Sequence, residues 1–194
     1  MKLFNTIVRE LEAYEARREL VIKAGREILR DAKRVIFLCH DGKLDEAKRH
    51  LASLTRVVGT NEKKFKKPLS SAMGSFPLYS EGSWCAAVEE YLEAWFLLHF
   101  LTHKKIVAPT GIAPKADVYI GALADSTGEL VRLAVLRGAR KEVKTIEQFR
   151  GLTARVVEFM LPLYLTGSSR QKFDAAKKNL KRIEEIVYEV RIRS

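Results

Sequence analysis

Four acidic residues occur in pairs whose spacing suits a metal site. Glu90 and Glu93 are three residues apart, and Asp125 and Glu129 are four apart. Residues at these separations are neighbours on one face of an α-helix. Carboxylate oxygens are the ligands that Mg²⁺ and Mn²⁺ prefer in proteins. The spacing therefore makes these residues candidate ligands of a divalent cation held between two helices.

The helical faces that carry the two pairs are otherwise apolar or small. The first face continues through Leu97 and Leu101, and the second contains Gly121 and Ala122, which let another helix approach closely. Neighbouring like charges destabilise a helix by about 0.2–0.5 kcal/mol per pair, and partial burial adds to that cost. A bound divalent cation would compensate for both effects. A water on such a cation can be activated to attack a phosphodiester.

Two other interpretations of the acidic pairs stay open. The carboxylates could form ordinary ion pairs with Arg132, with Arg137 or with lysines, or they could simply face water. A di-iron centre is disfavoured because its Glu-x-x-His signature is absent: His99 lies six residues beyond Glu93.

The other reactive side chains give weaker signals. Cys39, His40 and Asp41 are consecutive, so their side chains point in different directions and do not form a triad. Cys39 is expected in the core, and His40 is expected to cap a helix, to bond the backbone or to approach a phosphate. His99 and His103 are four residues apart and could share a metal, although no third ligand accompanies them. No P-loop or dinucleotide fingerprint occurs.

Basic residues outnumber acidic ones and indicate an anionic partner. Thirty-five Lys and Arg against twenty-four Asp and Glu give a net charge of +11. Such an excess attracts nucleic-acid phosphates, although a merely solvated basic surface is the alternative. The candidate phosphate contacts form one helical row and one dense run around an aromatic residue: Arg26, Arg30 and Arg34, and then Lys63, Lys64, Lys66 and Lys67 around Phe65.

Helical periodicity runs through the whole sequence and predicts an all-α fold of six or seven helices. The first helix is predicted to be about 35 residues long, because no proline occurs in residues 1–38 and Gly42 can end it. No internal repeat or linker is visible, so residues 1–194 are predicted to form one domain. The remaining helices are predicted at 44–58 with a break at 59–61, at 82–103, at about 117–137, at about 145–165 with a bend near Pro162, and at about 170–193.

The composition limits where the chain works and how it assembles. Two cysteines, Cys39 and Cys85, give no disulfide framework, which favours the reducing cytosol and predicts a cytoplasmic location. No apolar run reaches the ~20 residues of a membrane span, and residues 1–11 lack the features of a secretory signal. The first helix exceeds the usual length about threefold, so it needs long partners or another subunit, which favours an oligomer.

Several motifs resemble those of the translin family. Lys33–His40 resembles the first-helix motif of its X-type members, and Glu90–Ala94 resembles their Glu-Tyr-Val-Glu-Ala motif. Asp117–Gly121, followed by Ala124–Leu130, resembles the stretch that holds their metal-binding aspartate. The tail, Lys181–Arg193, is similar to the C-terminus of translin itself. The match runs through most of the chain in order.

The resemblance implies a helical bundle of about seven long helices that assembles into a closed barrel, commonly of eight subunits, with RNA inside. In this family the X-type subunit cuts RNA with Mg²⁺. Glu90, Glu93 and Asp125 match its catalytic, metal-binding carboxylates, and Glu129 matches a nearby acidic position. Translin has an apolar residue at the place of Asp125, so the aspartate favours activity.

Two departures from the family pattern bear on assembly. The loop between His103 and Asp117 is much shorter than in eukaryotic X-type members, and a translin-like tail accompanies an X-type acidic set. Together they suggest one chain that fills both roles in a homo-oligomer.

The expected function is that of a metal-dependent endoribonuclease, a hydrolase of RNA phosphodiester bonds, that uses Mg²⁺ or Mn²⁺ in its place. Its expected partners are duplex or single-stranded RNA and further copies of the chain, with an octamer as the expected size and no membrane. The alternative is a non-catalytic translin-like protein that binds RNA or single-stranded DNA. A helical scaffold for protein partners would leave the acidic set and the positive charge unexplained.

Overall fold

The computed structural model describes residues 2–67 and 78–192, and within these ranges every regular element is helical. The all-α prediction is confirmed, with six α-helices and one short 3-10 turn at Leu78–Ser80 in the described residues. The α-helices are α1 Lys2–His40, α2 Leu44–Lys66, α3 Gly82–His103, α4 Ala116–Ala139, α5 Val143–Met160 and α6 Gly167–Ile192. None of the helices described is long and apolar enough to cross a membrane.

Helix α1 is as long as its sequence predicts and ends where a glycine permits a left-handed turn. It has 39 residues, and its second half buries Val21, Ile28 and Val35 at helical spacing. Gly42 follows it with a φ of +77°, a conformation in which a side chain would be strained. This turn reverses the chain, and α2 then packs back along α1.

The predicted break in the second helix is wrong. Helix α2 continues through Gly59 to Lys66 because Val58, Glu62 and Phe65 share one face and are all buried. The free energy gained by burying that face exceeds the cost of one glycine in a helix, which is about 1 kcal/mol relative to alanine. Gly59 also lies beside the loop that joins α3 to α4, since an added Cβ would be 3.7 Å from the Gly111 carbonyl oxygen.

The ends of the last two helices also differ from the prediction. Helix α5 ends at Met160, before Pro162, so the predicted bent helix to residue 165 is wrong. Proline disfavours the helical conformation of the residue before it and lacks the N–H that a helix interior needs. Helix α6 begins slightly earlier than predicted, at Gly167. Its predicted end, Arg193, lies outside the described residues.

Helix α3 occupies the centre of the core. Tyr91, Leu92 and Leu97 are completely buried on different sides of it, as expected for a helix that is apolar almost all round. It packs against α1, α2 and α4, while α4 packs in turn against α5 and α6. This order places the two acid-bearing helices, α3 and α4, side by side, with α1 and α6 as their flanks. That residues 1–194 form one domain stays a prediction.

Candidate metal and nucleic-acid site

Helices α3 and α4 come close together at Gly121, where the absence of a side chain creates room for a carboxylate. A Cβ added to Gly121 would lie 2.8 Å from Cδ of Glu89 and 3.1 Å from Nζ of Lys172. The expectation that a small residue here permits a close neighbour is confirmed. A larger residue at 121 would displace the Glu89 carboxylate.

Glu93 is the carboxylate most strongly perturbed by its surroundings. Burial, followed by the negative charges of Glu90, Asp125 and Glu129, raises its pKa to about 8, and the positive charge of Lys172 only partly offsets this. No hydrogen bond or ion pair joins Glu93 to a side chain in residues 2–67 or 78–192. The uncharged form of Glu93 is therefore favoured at neutral pH as long as no other cation is nearby.

Glu90 lies one helical turn before Glu93 and faces the same group of carboxylates. Burial raises its pKa, the positive charge of Lys33 lowers it, and the charges of Asp125 and Glu129 raise it further, with a net increase. Lys33 is on α1, so this helix brings a basic side chain to the acidic pair of α3.

Asp125, in contrast, is paired with a lysine of α6. Lys172 Nζ donates to Asp125 Oδ2 at 2.7 Å and also donates to Glu89 Oε1. Burial alone would lower the pKa of Lys172, but these two hydrogen bonds and the charges of both carboxylates outweigh it and raise the pKa. One ammonium group thus connects α3, α4 and α6.

Glu129 is held by a histidine from α1 and an arginine from its own helix. His40 Nε2 hydrogen-bonds Glu129 Oε2, and Arg132 Nη1 donates to the same oxygen at 2.9 Å. Burial alone would raise the pKa of Glu129, but the hydrogen bond and charge of His40 and the charge of Arg132 lower it overall. Glu129 is therefore a stabilised carboxylate, unlike Glu93.

The four predicted acidic residues lie near one another, because the charges of Asp125 and Glu129 on α4 raise the pKa values of Glu90 and Glu93 on α3. In residues 2–67 and 78–192, however, no three Asp, Glu, His or Cys side chains are placed closely enough to hold a metal ion. Asp125 is engaged by Lys172, and Glu129 by His40. The donor set still fits a hard cation, because half-buried carboxylates of α3 face those of α4 and two of them form no ion pair within the described part of the chain.

The three arginines of the predicted row on α1 do not all point the same way. All three side chains are exposed, but Arg34 turns towards α2, where its Nη2 is 3.9 Å from Oε1 of Glu46. Lys33 lies only about 20° from Arg26 around the helix axis, because the two are seven residues apart. The basic edge nearest the acidic residues thus consists of Arg26, Arg30 and Lys33.

The predicted basic run at the end of α2 lies far from the acidic residues. Its lysines, Lys63, Lys64, Lys66 and Lys67, are all exposed. The carbonyl of Lys67 accepts a hydrogen bond from Arg17 on α1, and Arg17 is about 24 Å from Lys33 along that helix. Lys66 is also engaged locally, since its Nζ is 3.0 Å from the buried carboxylate of Glu62. Nucleic-acid binding by this run stays a prediction.

The other reactive residues behave largely as the weaker signals indicate. Cys39 is buried, and burial together with the charge of Glu129 raises the pKa of its thiol to about 12. His99 Nδ1 is 2.8 Å from the Trp95 carbonyl oxygen, and His103 Nδ1 is 2.8 Å from the Thr102 hydroxyl. His40 is the exception, because the structure joins it to Glu129 and not to a helix end.

The sequence does not predict the roles of three further residues of the site. Lys172 and His40 are 47 and 89 residues away from their acidic partners. Glu89 is four residues before Glu93, so the two are neighbours on α3, but the prediction left Glu89 out of the acidic set; the structure shows that it shares Lys172 with Asp125. The fragment Glu89-Glu90 carries a signal that could have found this carboxylate, since two adjacent acids widen the face that reaches α4.

The fold and the site together define an all-helical protein with a half-buried group of carboxylates between basic flanks. Residues 16–194 match the Translin family, and the chain belongs to that family. The resemblance carried by the motifs is thereby confirmed. The chain is 25% identical over 191 residues to the Translin-associated protein X homolog of Schizosaccharomyces pombe (strain 972 / ATCC 24843), across 92% of this chain and 82% of that protein.

Solved structures with a similar fold include a complex with nucleic acid. The AfC3PO–duplex RNA complex matches with a TM-score of 0.82 at 19% identity and covers 100% of this chain and 98% of its own. AfC3PO alone matches with a TM-score of 0.80 at 22% identity, again over 100% and 98% of the two chains. Apo-NeC3PO matches with a TM-score of 0.80 at 16% identity over 96% of each chain. At these identities, the likeness establishes a shared fold.

Proposed function

We propose that this chain is a metal-dependent endoribonuclease that hydrolyses RNA phosphodiester bonds. The observation that carries the proposal is the group of facing carboxylates on α3 and α4, in which half-buried Glu93 forms no ion pair with any of the described residues. A half-buried carboxyl group without a partner side chain costs free energy, so folding alone does not explain why one is present here. Binding of a hard cation does explain it.

Glu90, Glu93 and Asp125 would hold Mg²⁺, or Mn²⁺ in its place, and Glu129 would support them or orient the attacking water. When bound, such a cation supplies an activated water and offsets the negative charge that grows in the transition state. His40 holds the carboxylate of Glu129 through a hydrogen bond.

RNA is the proposed substrate because of the charge of the chain and the kind of protein that shares its fold. The net charge is +11, and Lys33 on α1 lies close enough to Glu90 to lower its pKa. A phosphate backbone that followed Arg26 and Arg30 along α1 would reach the acidic residues at Lys33. One protein with the same fold has been solved with duplex RNA bound.

We further propose that the chain acts as a homo-oligomer, with an octameric barrel as the expected form. The first turns of α1 support this, since Leu3, Phe4, Val8 and Leu11 are each more than half exposed. A row of apolar side chains on a protruding helix is typical of a protein–protein contact. Light scattering at micromolar concentration should give a mass several times 22.1 kDa, and a monomer would contradict assembly.

A cytoplasmic location is part of the same proposal. The two cysteines support it, because Cys39 and Cys85 are both free thiols. Reduced cysteines suit a reducing compartment.

The second candidate function is non-catalytic binding of RNA or single-stranded DNA. The ion pair between Lys172 and Asp125 favours it, because a lysine already neutralises one of the proposed metal ligands. A protein of this kind would use the same basic edge of α1 without cutting the strand.

Incubation with RNA in the presence or absence of metal separates the two candidates. Purified protein would be mixed with a labelled RNA duplex and with a single strand, in Mg²⁺, in Mn²⁺ and in EDTA. We expect internal cleavage with either cation, none in EDTA, and RNA binding in all three conditions. Binding without cleavage in both cations would leave the binding protein as the function.

A further inference from the structure

Lys172 is the lysine of α6 that points into the protein. It lies four residues before Ala176, which is completely buried, and its own side chain is only 25% exposed. Its ammonium group bridges Glu89 of α3 and Asp125 of α4. Three helices therefore converge on one positive charge at the edge of the acidic group.

The other lysines in this part of α6 face the opposite way. Lys177, Lys178 and Lys181 are exposed and lie on the outer face of the helix. Lys177 pairs with Asp174 of the same helix at 2.7 Å. The inward direction of Lys172 is therefore a specific feature of its position and does not reflect the general charge of α6.

A cation bound by Asp125 would compete with Lys172 for the same carboxylate. Two positive charges within a few ångströms repel strongly in a half-buried site, where solvent screens them poorly. Lys172 must therefore leave Asp125, at least in part, when a divalent cation binds. A long lysine side chain can make such a movement by rotation about its own bonds.

We propose that Lys172 is a resident counter-ion of the site, which neutralises Asp125 before the divalent cation arrives and then moves to a phosphate of the bound RNA. This inference rests on the proposed function, because it assigns a role to a residue beside the proposed metal ligands. Binding of metal and binding of RNA then become interdependent. Each ligand favours the position of Lys172 away from Asp125, and that position also helps the other ligand to bind.

The first test measures Mn²⁺ affinity without RNA, by electron paramagnetic resonance of the free ion. Lys172→Met removes the competing charge, so the variant should bind Mn²⁺ about tenfold more tightly than wild type. Lys172→Arg keeps the charge and should bind within about threefold of wild type. Lys178→Met is the matched control, since it removes an equal charge from the outer face of the same helix.

The second test measures the interdependence itself. In wild type, saturating Mn²⁺ should tighten binding of a cleavage-resistant phosphorothioate RNA duplex, because Lys172 has been released from Asp125. In Lys172→Met this enhancement should fall at least about threefold, whereas Lys178→Met should retain it. If the methionine variant does not fold, Lys172→Gln replaces it in both measurements.

The possible failures can be told apart. If wild type binds no Mn²⁺ at the site, the proposed function fails together with the role of Lys172. If wild type binds Mn²⁺ but Lys172→Met binds it no more tightly than Lys178→Met, only the counter-ion role is overturned. Cleavage by wild type would then still support the nuclease.

Discussion

Two carboxylates in neighbouring helices are both withdrawn from solvent, yet their surroundings are opposite. Glu62, near the end of α2, is 6% exposed, and its two oxygens accept the Ala113 N–H at 3.1 and 3.2 Å. Lys66 adds a positive charge at 3.0 Å. Glu93 of α3 faces three other acidic residues, and its pKa rises to about 8.

The difference indicates which acidic residue serves the fold and which serves a ligand. Glu62 ties the loop between α3 and α4 to the end of α2, and it is satisfied by groups of the chain itself. Glu93 has no comparable partner among the described residues. A carboxylate without compensation destabilises the folded chain, so its presence is best explained by a cation that arrives from solution.

Replacing Glu93 should give the largest effect on activity. Glu93→Gln keeps the shape of the side chain but can no longer provide a charged oxygen, so RNA cleavage should fall at least about a hundredfold. The variant should fold, because the uncharged form of Glu93 already predominates at neutral pH without metal. Gel-based cleavage rates would measure this effect, with Glu158→Gln on the exposed side of α5 as the control. Cleavage within about threefold of wild type would exclude Glu93 as a ligand.

The pH dependence should also distinguish Glu93 from Glu62. Below pH 8 a proton competes with the cation for Glu93, so Mn²⁺ affinity should rise about tenfold per pH unit up to about pH 8 and then level off. Titrations of Mn²⁺ at about pH 6, 7, 8 and 9 would measure this. Glu62→Gln should follow the same curve, and a flat profile between about pH 6 and 8 would contradict the account.

Stability without metal should change in the opposite direction over the same range. The pKa of Glu93 is about 8 in the folded chain and near its usual 4.5 after unfolding, so the folded state holds more protons between these values. The contribution of Glu93 to stability is therefore fully present below about pH 4.5 and lost as the pH rises through about 8. Urea unfolding in EDTA should show this loss in wild type and a smaller one in Glu93→Gln.

These contrasts separate what the sequence could predict from what it could not. Helical spacing correctly placed Glu90 beside Glu93, because a helix fixes the positions of residues three apart. The partners of the acidic residues depend on how distant helices cross. Lys172 is 47 residues away from Asp125, and no local pattern distinguishes it from the outward-facing lysines of α6.

The same distinction explains errors in the elements themselves. Gly59 indicates a break by its local propensity, but the burial of Val58 and Phe65 on one face carries α2 through it. Pro162 is a local signal for the end of a helix, and the prediction is wrong because it extends the helix past this residue. Positions within one helix can thus be predicted from sequence, whereas the pairing of residues on different helices depends on the tertiary fold.

Replacing Glu62 should affect stability and leave the chemistry intact. Glu62→Gln removes a charged acceptor of the Ala113 N–H and the partner of Lys66, which should cost about 1–3 kcal/mol of unfolding free energy. Chemical denaturation would measure the effect, and Glu158→Gln should stay within about 0.5 kcal/mol of wild type. Cleavage per folded molecule should be unchanged. Loss of cleavage without loss of stability would reverse the roles assigned to the two carboxylates.

The smallest effect is expected on the basic edge beside the acidic residues. Replacing Arg26 and Arg30 with alanine leaves up to two RNA phosphates without a neutralising side chain. The slope of log K against log salt should therefore become less steep by about 0.7–0.9 for each such phosphate. Binding of RNA would be measured in EDTA at several salt concentrations, with Arg140→Ala, at the exposed end of α4, as the control. An unchanged slope and affinity would mean that RNA does not follow this edge.

The most direct measurement of the central claim compares wild type with Asp125→Asn in cleavage and in binding of the same RNA duplex with Mg²⁺. The substitution preserves size and can still hydrogen-bond Lys172, but it removes a negative charge that a hard cation requires. We expect cleavage to fall at least about a hundredfold, with folding retained and RNA binding equal to wild type or slightly tighter. Asp45→Asn, on an exposed turn of α2, should cleave normally. Cleavage by Asp125→Asn at the wild-type rate would contradict the proposed metal site.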